Sequence, residues 1–264
     1  MPAAVQTHST LLRMAAVAIL ASALVSCRTS KAVVASTKVK PSDFLEHAAE
    51  LKEDRNRSPF LGNWWTNDPK LISATIALRK IYIPPVQIDE VRPMKNVLSK
   101  TEFTEERRRK KLDELAKFAT EEFKKAFKAA KHTKHEIVDE PAPDALTLEL
   151  HILEFEPNAF TGFIARETVD LLTLPAVGDL ISKPLRGVIT IEGRLIEPKS
   201  GKPVFEFADR EEAKSIIILP VQETYPTGQA RFAIREWARQ FELLMRDDPG
   251  ERAKDSSPIR LWAF

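Results

Sequence analysis

Residues 187–208 read GVITIEGRLIEPKSGKPVFEFA, and the pattern in them decides the fold. Ile189, Ile191 and Leu195 point one way, while Thr190, Glu192 and Arg194 point the other, which is the two-residue period of a strand. Pro198-Lys199-Ser200-Gly201 supplies a turn, and Pro203 to Ala208 supplies the returning strand, so the stretch predicts a β-hairpin.

Moving outward, Ala145 to Glu156 alternates Leu146, Leu148, Leu150 and Ile152 with Thr147, Glu149 and His151, a strand with one wet face. Glu136 to Asp139 is strand-like, and Lys80 to Ile88 (KIYIPPVQI) is a strand that bends or ends at Pro84 and Pro85. Thr104 and the box Ser99-x-x-Glu102 are two possible caps for a helix running to about Lys131. Its apolar stripe is Leu112, Leu115, Ala116, Ala119, Phe123, Ala126, Phe127 and Ala130. Thr227 to Arg246 is a second amphipathic helix with Ala230, Ile234, Trp237, Phe241, Leu244 and Met245 inward. Phe44 to Glu53 reads as a short helix. Ser58 to Asn67 reads as an aromatic loop whose Trp64-Trp65 pair plugs the rim of a core. This order predicts an α+β fold: an antiparallel or mixed β-sheet of about five strands with two long helices packed on one face.

Composition narrows the function. The 264 residues carry 40 Lys+Arg against 38 Asp+Glu, a net charge of +2, with 43% hydrophobic residues, 18 Pro and 8 Gly. That is an ordinary globular balance, and it lacks the basic footprint of a nucleic-acid binder. Cys27 is the single cysteine, so neither an internal disulfide nor a cysteine-based zinc site can form within one chain. Before it, Met14 to Val25 is apolar or small and uncharged. Twelve residues reach about 18 Å as a helix, too short for a bilayer core of about 30 Å, and Arg13 supplies the positive charge that precedes the apolar part of a secretory signal.

Leu24-Val25-Ser26-Cys27 resembles the lipobox of bacterial lipoproteins. The resemblance implies a signal peptide over residues 1–26, diacylglyceryl attachment to the Cys27 thiol, and an acylated mature N-terminus. Several acyl chains anchor a protein stably where one does not. Residue 28 is Arg, whereas an Asp at that place in such lipoproteins commonly signals inner-membrane retention. The implied location is therefore the periplasmic face of the outer membrane. Residues 27–41 read as the lipidated N-terminus and a flexible tether, 42–246 as a single α+β domain, and 247–264 as a polar, then apolar, C-terminal tail.

Three stretches of the body, Lys80 to Val86, Gly187 to Arg194 with its Ser200-Gly201 turn, and Phe207 to Glu211 through Glu236-Trp237-Ala238, resemble a family of uncharacterised bacterial envelope lipoproteins, a domain of unknown function. The resemblance implies a location and a fold, and carries over no activity. The fold also looks akin to small envelope lipoproteins that assist transporters or secretion pores, an analogy only.

Chemistry is sparse in the sequence. There is no glycine-rich phosphate loop, no GxSxG and no HExxH. His132 and His135, with Asp139 or Glu140, have a spacing that two metal ligands can use. The pair instead reads as closing a helix, whose last carbonyls favour cationic side chains; no metal and no cofactor are assigned. Glu192, Asp209 and Glu211 lie on or after paired strands, with Arg194 and Arg210 among them. They read either as a cross-strand charge lattice that contacts a partner, or as an acid–base pair for an envelope hydrolase. Residues 158–184 form a long apolar-rich insertion that either covers the sheet or docks a partner protein or lipid surface. The sequence therefore predicts a lipid-anchored, non-enzymatic binding or scaffolding module that touches the membrane through its anchor and another envelope protein through its body. The alternatives are the hydrolase and an accessory lipoprotein of an envelope transport system.

Overall fold

The computed structural model describes residues 39–95, 104–157, 187–212 and 227–246, all within the unit that begins at Val39. Cys27, the apolar insertion 158–184, the apolar run Ile216 to Val221, the Ser99-x-x-Glu102 box and the tail 247–264 lie outside them.

The hairpin of residues 187–208 is present and longer than its alternation suggests. We number the elements in chain order: β1 (Gly62–Trp65), α1 (Pro69–Ile76), β2 (Lys80–Tyr82), α2 (Glu105–Ala129), β3 (Glu136–Val138), β4 (Ala145–Glu156), β5 (Val188–Ile196), β6 (Pro203–Glu212) and α3 (Gly228–Leu244), with one 3-10 turn at Ala48–Glu50. The six strands form one sheet in the order β1-β6-β5-β4-β2-β3. The block β4-β5-β6-β1 is antiparallel, whereas β2 runs parallel to both β3 and β4. The α+β class is as read; among the described residues the mixed sheet has six strands rather than about five, and a short helix, α1, joins the two long ones.

The differences have local causes. Gly62 to Trp65, read as loop, is an edge strand, and its adjacent tryptophans fall on opposite faces of the sheet because side chains alternate. Asp68 caps α1 by accepting from the Lys70 N–H at 2.9 Å, with a proline at the helix start, the arrangement that suits an N-terminus. The stretch Phe44 to Glu53 makes only the 3-10 turn. The two prolines do interrupt β2: the ladder stops at Tyr82 and resumes at Gln87, whose N–H donates to the Leu150 carbonyl at 2.9 Å. At the hairpin turn, Gly201 adopts φ 65°, a conformation glycine tolerates without steric cost. There Glu197 accepts from the Lys199 and Ser200 N–H groups.

The core lies between the helices and what we call the inner face of the sheet. Leu148, Leu150 and Ile152 of β4, Ile189, Ile191 and Leu195 of β5, and Phe205 and Phe207 of β6 meet Leu115, Ala119, Phe123 and Phe127 of α2 and Ile234, Trp237 and Phe241 of α3. Phe241 is the hub, with ring centres 5.7 to 6.5 Å from Phe60, Phe123, Phe127, Phe205 and Phe207. Thr104 caps α2, as one of the two predicted caps, and the helix ends at Ala129. Within the basic run of α2, Arg108 is buried; it donates to the carbonyls of Phe155 and Arg92 and pairs with Glu105. Arg109 and Lys111 pair with Asp113 and Glu114 along the helix. No helix among the described residues is long and apolar enough to cross a membrane.

Candidate functional site

The outer face of the sheet, away from the helices, carries Glu149 and His151 on β4, Thr190, Glu192 and Arg194 on β5, and Glu206 and Arg210 on β6. Period-two reading made this face wet. It is not wet at its centre: Glu192 and Glu206 are both 0% exposed and Thr190 is buried. For the two glutamates the reason is residues 39–51, which lie across them as a strap. Glu192 accepts the Ser42 N–H at 2.9 Å and the Ser42 hydroxyl. Glu206 accepts the Glu46 and His47 N–H groups at 3.0 and 2.8 Å, with His47 Nδ1 3.4 Å away. Phe44 stacks on His151 at 3.8 Å and lies under the Arg194 guanidinium, while His47 stacks on Trp64 at 3.5 Å. Two buried carboxylates thus satisfy main-chain donors contributed by a segment some 150 residues distant in sequence.

Burial shifts the acid–base balance here toward neutral forms. It pushes the Glu192 carboxyl above the usual range, against the opposing Ser42 hydrogen bonds. Burial likewise pushes the His151 imidazole down, against the pull of Glu90 and Glu149. His151 Nδ1 has no hydrogen-bond partner. The Ser42 hydroxyl bonds a carboxylate rather than an imidazole, so the group lacks the hydroxyl–imidazole bond that activates a serine.

The rest of the face is a charge lattice that contains Arg194 and Arg210 but pairs them with Glu149, Glu154 and Glu212. Arg194 Nε donates to Glu149 at 2.8 Å across the β4–β5 register. Arg210 reaches Glu154 at 3.4 Å and pairs with Glu212. Glu154 also accepts from Lys95 at 2.7 Å and from the Thr190 hydroxyl at 2.9 Å. Burial raises the Glu154 carboxyl, but the bonds from Lys95 and Thr190 and the nearby Arg210 outweigh it and hold the group below its ordinary value of 4.5. A depressed folded value means stability that is present above about pH 4.5 and lost as the pH falls through that folded value. Urea midpoints measured down a pH series should therefore fall less steeply below pH 4.5 in Glu154→Gln than in the parent; parallel acid limbs would contradict the assignment.

Asp209 and Glu211 do not join this group. Asp209 is the register partner of Ile191, and Glu211 that of Ile189, so both side chains belong to the inner face. Asp209 is buried under α3, accepting the Trp237 indole N–H at 2.6 Å and the Leu61 N–H at 3.1 Å. The predicted convergence of Glu192 with Asp209 is therefore not formed, since the sheet itself separates them. His132 and His135 follow α2 rather than close it, with His135 buried and His132 exposed. Among the described residues no three His, Cys, Asp or Glu side chains are grouped to hold a metal. The alternation in the sequence missed Glu206, whose neighbours Phe205 and Phe207 disguise it, and Ser42, Phe44 and His47, which no local signal marks.

A family model described as "Protein of unknown function (DUF3313)" matches residues 40–241. The chain belongs to that family. In this DUF3313 protein the motifs singled out in the sequence meet: Asp209 of FADRE bonds Trp237 of EWA, and Gly193 of IEGR lies opposite Phe207. Among curated protein sequences none matches it. Among solved structures, a dodecamer of a PelC point variant from Paraburkholderia phytofirmans is similar at 10% identity, covering 70% of this chain and 98% of that one, with a TM-score of 0.35. The hypothetical protein CT253 from Chlamydia trachomatis is similar at 11% identity, covering 64% and 98%, also with a TM-score of 0.35. Likeness at that level is loose and says nothing of function.

Proposed function

We propose that this protein is a bacterial cell-envelope lipoprotein, anchored through Cys27 at the periplasmic face of the outer membrane, whose body binds or scaffolds another envelope component without catalysing a reaction. The anchor reading rests on Leu24-Val25-Ser26-Cys27 behind its short apolar segment. For the body, one observation supports binding over chemistry. Glu192, Glu206 and Asp209 are each occupied by main-chain, hydroxyl or indole donors within the fold, and Glu192 and Asp209 are on opposite faces.

The test is a crosslinking pull-down from envelope membranes of the native protein beside Cys27→Ala, read by intact mass and by the identity of what is captured. We expect an acylated native protein and a partner that the variant loses. An unacylated native chain that crosslinks to nothing would overturn both halves of the proposal.

A further inference from the structure

Residues 39–51 attach to the body differently from the segments around them. Only Leu45 among them is buried, and it stands apart from the core cluster. The other contacts are polar or aromatic and include the Ser42, Glu46 and His47 N–H groups and the Ser42 hydroxyl on Glu192 and Glu206, the Arg92 guanidinium on the Lys40 carbonyl, the Trp64 indole N–H on Glu50, and two ring stacks. The charges match poorly: Asp43, Glu46 and Glu50 outnumber Lys40 in the segment, and beneath it lie Glu149, Glu192 and Glu206. Arg194 relieves part of this, bonding the Phe44 carbonyl at 3.1 Å and lying 3.8 Å from Glu46. Few apolar contacts, with main-chain bonds at the surface of a separately packed core, are the marks of a segment at the low-stability end of a protein.

We propose that residues 39–51 are a releasable strap: they leave the outer face as a unit, while the sheet and helices stay folded, and so uncover Glu192 and Glu206. The strap's release does not depend on the anchor. Its consequence for reach rests on the anchoring proposed above, since thirteen freed residues would lengthen the tether by up to about 43 Å.

Native-state hydrogen exchange on the full chain tests this. The amides of Ser42, Glu46 and His47 should exchange about 100-fold faster than those of β5, through an opening that leaves the strands protected. Phe44→Ala removes the ring lodged between His151 and Arg194. It should speed those three amides by a further factor of about ten and leave β4 to β6 unchanged. Strap amides as slow as those of β5, or a Phe44→Ala effect shared equally by the strands, would show the segment to be part of the cooperative core and overturn the proposal. Cys27→Ala protein should give the same profile as the native chain, so a failed anchor and a failed strap are told apart.

Discussion

Trp237→Ala is expected to cost about 3–5 kcal/mol, the usual range for emptying a buried aromatic site, and to leave Asp209 buried without the indole N–H it accepts. The indole is 1% exposed and lies between α3 and the inner face. For a domain of this size that loss lowers the melting temperature by roughly 10 °C or more. Volume and hydrogen bond can be separated. Trp237→Phe keeps most of the packing but removes the N–H that reaches Asp209 at 2.6 Å. Asp209→Asn keeps the shape but turns an amide N–H₂ toward one of two donors, Trp237 Nε1 or the Leu61 N–H; a donor left unpaired in the core costs about 1–3 kcal/mol. Chemical denaturation of the two single variants and the double should give a coupling of about 1–3 kcal/mol. Additive losses would mean that the carboxylate and the indole do not act together, and that Asp209 is held by its other contacts.

That bond also shows why part of the fold was legible and part was not. The stripes of α2 and α3, the alternation of β4 and the hairpin are local patterns, each long enough to declare its period over many residues. The strap leaves no such trace, because its partners Glu192 and Glu206 are some 150 to 160 residues away. A segment held by its own main chain needs no particular side chains to announce it. Asp209 was legible as a charged residue at a strand, but not as the buried acceptor of a helix; the alternation that put Glu192 on one face puts Asp209 on the other, and that inference was available. Pro69 after Asp68 was an equally available sign of α1. The candidate contact residues divided along the same line. Arg194 and Arg210 fell in the cross-strand lattice their positions implied, whereas the burial of Glu192 depends on a cover that only the folded chain supplies.

Gly193→Ala should destabilise the domain by about 1–3 kcal/mol although it adds a single methyl group, and Gly193→Val by more, because both overpack a filled site. In a strand a glycine ordinarily weakens the structure, so Ala would be expected to help. Here it cannot. A Cβ on Gly193 would lie 2.6 Å from Phe207 Cε1, 2.7 Å from Leu150 Cδ2 and 2.8 Å from Phe207 Cζ. Those residues are its register partners on either side. Phe207 has little room to retreat: its ring stacks on Phe60 at 4.2 Å and lies 5.7 Å from both Phe205 and Phe241. The close approach of β5 to that ring lets four phenylalanines pack beneath the middle of the sheet, so the glycine acts through volume and not through backbone freedom. If so, Phe207→Leu, which costs stability alone by removing ring contacts, should cost markedly less in a Gly193→Ala background, where the smaller side chain makes way for the methyl group. Thermal melts of the four proteins measure that coupling. An alanine variant as stable as the parent, or a leucine substitution equally costly in both backgrounds, would show that Phe207 does not fill the space above Gly193.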